Sequence, residues 1–223
     1  MRSIEEIRGY FLAELNHVFS RPGMYPGEAS LMMRFRDLAW IDQREPEWDA
    51  HRQALEARGA FCSTGVRGAF ERVLGERVQT ESVASVYAEI AFQMGYLETQ
   101  RVLSAAEFGR LRKGLRRAVS RRSFTAAEVE ERFGPPSWGV VRGRNDPNSE
   151  TWLYLASRPR FAAIAFEFWN ESLFVDGKYA RRFDRAILRY VRIRGRRFAR
   201  EFAFTPLGRQ LLDEDESTPL RLR

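Results

Sequence analysis

The hydrophobic period of this chain changes near residue 122, and that change constrains the fold more than any other feature. Before it, apolar residues recur every three or four positions. Ile4, Ile7, Phe11, Leu15 and Val18 share one helical face. Leu31, Phe35, Leu38 and Ile41 form a second stripe, Trp48 and Leu55 belong to a third, and Val66, Phe70 and Val73 to a fourth. A fifth helix is expected over 82–94. Beyond residue 122 the period moves toward two. Thr151-Trp152-Leu153-Tyr154-Leu155 and the run 163–169 are aromatic and β-branched, which suits strands. The expected fold class is α+β, with a helical N-terminal part of about five or six helices and a smaller antiparallel β-sheet C-terminal part.

Local signals mark the element ends. Ser3 to Glu6, Ser104 to Glu107 and Thr125 to Glu128 each spell S/T-x-x-E, the capping box in which hydroxyl and carboxylate satisfy free N–H groups of a first turn. Gly114 interrupts the stripe Phe108, Leu111, Leu115 and Val119, against a straight helix there. The cluster Asn145 to Ser149 reads as a turn. Tyr179, Phe183, Ile187 and Tyr190 have helical spacing, although 190–193 equally suits a strand. Thr205-Pro206 suits a helix cap and first residue. The expected divisions are a helical domain over 1–122, an α+β antiparallel-sheet domain over 123–204, and a short helix with a frayed tail over 205–223. No Gly/Ser linker divides them, which allows one packed body.

Composition limits the chemistry. Among 223 residues, the one cysteine, Cys62, forms neither an internal disulfide nor a cysteine zinc site. His17 and His51 are too few for a typical histidine-rich metal site. Carboxylate-only magnesium or calcium sites stay open, without a DxDxDG loop to suggest one. No motif implies a cofactor or a metal. No apolar run approaches the roughly 18 residues of a membrane span, and MRSIEEIRGYF alternates charge with apolar residues, unlike a secretory signal. A cytoplasmic location is expected. The net charge of +7 points to an anionic partner. Its arginine skew, with Lys113 and Lys178 the only lysines, is also what a GC-rich genome produces.

The segment RPGMYPG, 21–27, resembles the RPGMYIG stretch near the nucleotide pocket of gyrase-type ATPases. That family's downstream Glu/Asn helix, DxGxG turn and glycine-rich lid are missing, so the expected reading is a turn. Pro22-Gly23 would end one helix, and Met24 and Tyr25 would pack the corner. In GAFCSTGVRGAF, 59–70, Cys62 precedes a helix start but has no base nearby in sequence. The amides of Ser63-Thr64-Gly65 offer an anion site. The carboxylate clusters sit at helix starts or in the tail, where they complement the macrodipole without a catalytic role.

Two basic clusters remain, 110–122 and 181–200. FAFTPLGRQLL, 202–212, is similar to the last wing strand and following helix of winged-helix DNA-binding proteins. The segments FTAAEVEERFGPPSW, TWLYL and AIAFEFW resemble the small helix-plus-sheet module of outer-membrane assembly lipoproteins, which implies protein contact. The whole layout, RPGMY-x-GE, STGVRGAFERVL and FGPPS, resembles a set of bacterial accessory proteins of immunity type. The absence of a catalytic constellation motivates the leading expectation, a non-enzymatic protein-binding protein, and the resemblance implies its specific form, an immunity-type inhibitor of an acidic partner. The expected partner face combines Trp152, Tyr154 and Trp169 with Arg189, Arg192, Arg194, Arg196, Arg197 and Arg200. The alternative is a nucleic-acid-binding protein using the Arg-rich segment 181–200 against phosphates.

Overall fold

The computed structural model describes residues 3–25, 27–75, 77–141, 149–157, 163–170, 172–175 and 177–217. Of the expected features, the turn at 145–149 lies outside these residues up to 148, as does the tail from 218.

The N-terminal half is helical: α1 (Ile4–Ser20), α2 (Glu28–Ile41), α3 (Glu45–Ala57), α4 (Gly65–Leu74) and α5 (Thr80–Met94). Two short helices, α6 (Ala105–Arg112) and α7 (Leu115–Arg121), follow, and then α8 (Ala126–Phe133). The three capping boxes form as expected. At α1, for instance, the Ser3 amide donates to Glu6 Oε2 at 2.7 Å and the Glu6 amide to Ser3 Oγ at 3.2 Å. The stripe that Gly114 interrupts is broken into α6 and α7 there, because Gly114 takes the left-handed φ of 75° that other residues avoid.

The C-terminal half supplies β1 (Trp138–Val141), β2 (Ser149–Leu155), β3 (Ala163–Trp169), β6 (Ile187–Ile193) and β7 (Phe202–Phe204), which pair antiparallel in the order β1-β2-β3-β6-β7. A separate hairpin joins β4 (Ser172–Val175) and β5 (Lys178–Arg181). The helical spacing of Tyr179, Phe183, Ile187 and Tyr190 does not give a helix; 190–193 takes the strand reading, within β6. Helix α9 (Pro206–Ser217) closes the described chain, with Thr205 Oγ1 accepting from the Gly208 amide at 3.0 Å, so Thr205 is the cap its sequence suggests.

Both faces of the sheet are covered. Leu153, Leu155, Ala163, Ala165 and Tyr190 share a core with α1 to α5. Trp152, Tyr154, Ile164, Phe166, Phe168, Leu188 and Val191 face the other way, onto Phe108, Leu111, Leu115 and Val119 of α6 and α7 and Val129 of α8. Residues on both sides of position 122 therefore contribute to each core. Helix α5 lies at the centre, buried on nearly every side between the sheet and α2 and α4, with small and apolar residues on most of its surface and one polar stripe.

Candidate functional site

Four places concentrate chemistry in this fold: a buried polar seam, a capped helix start, a groove of mixed character and a basic cleft.

The seam lies where α5 meets the sheet. Glu81, Ser85 and Glu89 recur every four residues, with Ser82 beside them, so one polar stripe of α5 faces the strands. Across the sheet, Thr151 pairs with Glu167 and Glu167 with Tyr190. Glu167 accepts from Ser82 Oγ and Thr151 Oγ1, both at 2.7 Å, and Tyr190 donates to Ser82 Oγ at 3.2 Å. Register shifts in β6, where Tyr190 opposes Glu167 but Leu188 opposes Phe168. Arg189 is the extra residue, and such a bulge re-aims a side chain. Its guanidinium stands 4.0 Å from Glu167 Oε1 and donates to the Arg77 carbonyl at 3.0 Å.

One step along β6, Arg192 pairs with Glu89, donates to Ser85 Oγ at 3.2 Å and reaches Glu201 Oε2 at 3.4 Å. Glu201 also pairs with Arg58 of the segment after α3. Burial raises the Glu167 carboxyl to about 7, with Arg189 opposing the rise. Burial works against the Arg192 charge, yet Glu89 and Glu201 hold its pKa above the ordinary value. A perturbed carboxyl often marks catalysis. Here Glu167 and its polar neighbours are buried, and their contacts tie α5 to β3 and β6.

The helix start is that of α4. Glu28, delivered by the RPGMYPG turn, accepts from the Val66 amide at 2.6 Å and the Arg67 amide at 3.0 Å, and Tyr87 donates its hydroxyl to the same carboxylate. Burial, then the Glu28 charge, pushes the Tyr87 phenol up. Gly65 leaves the room, since a Cβ there would meet that carboxylate. The anion site is expected at the Ser63-Thr64-Gly65 amides; the anion held here is the chain's own Glu28, on the next two amides, while the Gly65 amide donates to the Cys62 carbonyl at 2.9 Å. The turn reading of RPGMYPG holds, with a 3-10 turn over Pro22–Met24, but Met24 is exposed and does not pack the corner. Cys62 donates weakly to the Gly65 carbonyl at 3.4 Å.

The expected partner face is corrected by burial. Trp152 packs on Phe168 with centroids 4.9 Å apart, the Tyr154 hydroxyl donates to the Gly134 carbonyl at 2.7 Å, and Trp169 meets Phe183 and the Arg77 guanidinium. All three aromatics are buried, as are Arg189 and Arg192. For Trp152 and Tyr154 the reason is the second layer of helices, which covers the strand face that a two-layer sheet would leave to solvent. Arg192 and Arg189 turn the other way, to Glu89 of α5 and to Glu167, and Trp169 is covered beside Arg77. Arg194 is half-buried, and only Arg196, Arg197 and Arg200 stand fully at the surface. These residues do not form one exposed face.

Two surface features take its place. On α2, Met33, Arg36 and Trp40 recur at helical spacing on the side away from Leu31, Phe35 and Leu38. Trp40 is 72% exposed and Met33 60%. With α3 they border a groove of about 680 Å3 whose lining includes Trp48, itself stacked on Phe35 at 4.8 Å. A salt bridge from Arg8 to Asp42 (2.7 Å) brings the start of α1, with exposed Ile4 and Ile7, to the Trp40 end of α2. Sequence reading missed this stripe, although the spacing of Met33 and Trp40 opposite the buried stripe was the available signal.

The second feature is a cleft of about 390 Å3 among α6, α7 and α8, lined by Arg101, Arg110, Lys113 and Arg132 over Leu111, Leu115 and Phe133. Nearby, Arg116 of α7 donates to the carbonyls of Arg200, Glu201 and Phe202 at 2.9–3.1 Å, which joins the two basic clusters of the sequence into one region.

Among the described residues, no helix is long and apolar enough to cross a membrane, and no group of three His, Cys, Asp or Glu side chains is placed to hold a metal ion. Compared with known proteins, the chain matches no family model, no curated protein and no solved structure.

Proposed function

We propose that this chain is a non-enzymatic cytoplasmic protein-binding protein whose partner docks on the groove between α2 and α3. The observation that carries the reading is Trp40, a large aromatic left 72% exposed at the rim of a groove where Met32, Met33, Ala39 and Trp48 stand among charged side chains. Scattered exposed apolar residues are ordinary; a Trp and a Met aligned over a groove are the residue types that anchor interfaces. Arg36, exposed between them, has no ion pair among the described residues and offers a charge-assisted contact. The partner presents an apolar side chain to Trp40, a carboxylate to Arg36, and donors to Asp37, Glu45 and Asp49, which line the same groove. In its specific form the role is that of an immunity-type inhibitor covering one target.

A second reading, binding of nucleic acid, is favoured by the joining of the two arginine clusters through Arg116. That region lacks an exposed aromatic platform among the described residues, so contact there would run through phosphates and not through stacked bases.

The test is affinity capture from host lysate with the wild type and with Trp40→Ala side by side, each split and half treated with nuclease. A stoichiometric protein that survives nuclease and is lost with Trp40→Ala supports the reading. Equal capture by both baits, or a protein lost on nuclease treatment, overturns it.

A further inference from the structure

The cleft among α6, α7 and α8 lies apart from the α2–α3 groove, and its composition asks for a different ligand. We propose that it binds a small organic diphosphate, a molecule of nucleotide size, independently of any protein partner.

The charge balance makes the first argument. Arg101, Arg110, Lys113 and Arg132 line one concavity whose single carboxylate among the described residues is Glu107. Glu107 accepts from the Ser104 amide and the Ser104 hydroxyl, both at 2.7 Å, as the cap of α6; these hydrogen bonds, and then the Arg101 and Arg110 charges, hold its pKa below the ordinary value. It offsets part of the positive charge and leaves cations in surplus. Arg110, Lys113 and Arg132 make no ion pair among the described residues. Like charges gathered in a concave, partly apolar site repel one another and focus a positive potential that an anion relieves. A diphosphate matches this surplus better than a single carboxylate does, because each phosphate brings more charge and more acceptor oxygens.

The second argument is preorganisation. Arg101 is not a loose surface side chain: its Nη2 donates to the Phe133 carbonyl at 3.1 Å, while its Nε is buried without a partner. The bond to Phe133 holds the guanidinium in place at the cleft wall. Arg132 leans over the Phe133 ring, 5.4 Å from guanidinium carbon to centroid, giving a cation and an aromatic on the same wall. Phosphates belong at the Arg110–Lys113 rim, and a flat or apolar body belongs against Phe133. A volume of about 390 Å3 falls in the range of small-molecule sites.

Calorimetric titration of the full chain with inorganic pyrophosphate, ADP, adenosine and a short DNA duplex tests the proposal. Pyrophosphate and ADP are expected to bind one to one, with adenosine silent. The double variant Arg110→Ser/Lys113→Ser, both exposed positions, should weaken ADP binding by at least about tenfold. Arg121→Ser, outside the cleft, should leave it unchanged, and circular dichroism checks that each variant is folded. No binding of pyrophosphate or ADP overturns the proposal. So does binding of the duplex alone, or an equal loss in Arg121→Ser, because either would mean a diffuse attraction for polyanions.

Discussion

Glu28 and Val66 lie 38 residues apart, and the carboxylate of the first accepts the amide proton of the second at 2.6 Å. This one contact ties the RPGMYPG turn to the start of α4. A helix start leaves its first amides without partners, and most helices satisfy them with the residue just before. Here Thr64 makes no such bond, and Glu28 serves from another helix. Glu28→Ala should strand the Val66 and Arg67 amides and the Tyr87 hydroxyl, lowering stability by roughly 2–3 kcal/mol in urea unfolding. Glu28→Gln, which keeps an acceptor, should cost less than half of that.

A similar argument applies to Arg192. Its guanidinium is buried between Glu89 and Glu201, so removing it leaves Glu89 without its counter-charge, while Glu201 keeps Arg58. Arg192→Met is expected to destabilise by about 3–5 kcal/mol. Combining it with Glu89→Leu should cost clearly less than the sum of the singles, with a coupling above about 1 kcal/mol in a double-mutant cycle. Additive losses would show that the pair is not energetically linked.

Glu167 sets a pH dependence. Its carboxyl is raised by burial from 4.5 to about 7, so the folded chain holds this proton more tightly than the unfolded one. The resulting contribution is fully present below about pH 4.5 and is lost as pH rises through about 7. Other carboxylates titrate as well, so the informative quantity is the difference between wild type and Glu167→Gln. Across that window the variant's stability relative to wild type should rise by up to about 3 kcal/mol as pH increases. A pH-independent difference would mean that Glu167 is ionised throughout.

What the sequence made legible was what depends on near neighbours. The capping boxes at Ser3, Ser104 and Thr125, the break at Gly114 and the cap at Thr205 all rest on contacts within a few residues, and all form. The α+β class followed from the change of period. The site did not follow, because it depends on which faces other layers cover. Trp152 and Tyr154 alternate with Leu153 and Leu155, and alternation cannot reveal a sheet buried on both sides. Arg189 and Arg192 read as solvated cations until Glu167, Glu89 and Glu201 are brought to them from distant elements. The converse holds for Trp40, whose size suggests a core position and whose place on α2 leaves it in solvent.

The central claim is that Trp40 anchors a protein partner in the α2–α3 groove. Its most direct test is the affinity of the captured partner for wild type and for Trp40→Ala, measured calorimetrically at low and high salt. The account predicts a loss of about thirtyfold or more in the variant, and only modest weakening of the wild type as salt rises. Unchanged affinity in Trp40→Ala, together with a steep log-linear fall with salt, would contradict it and move the working surface to the arginines around Arg116.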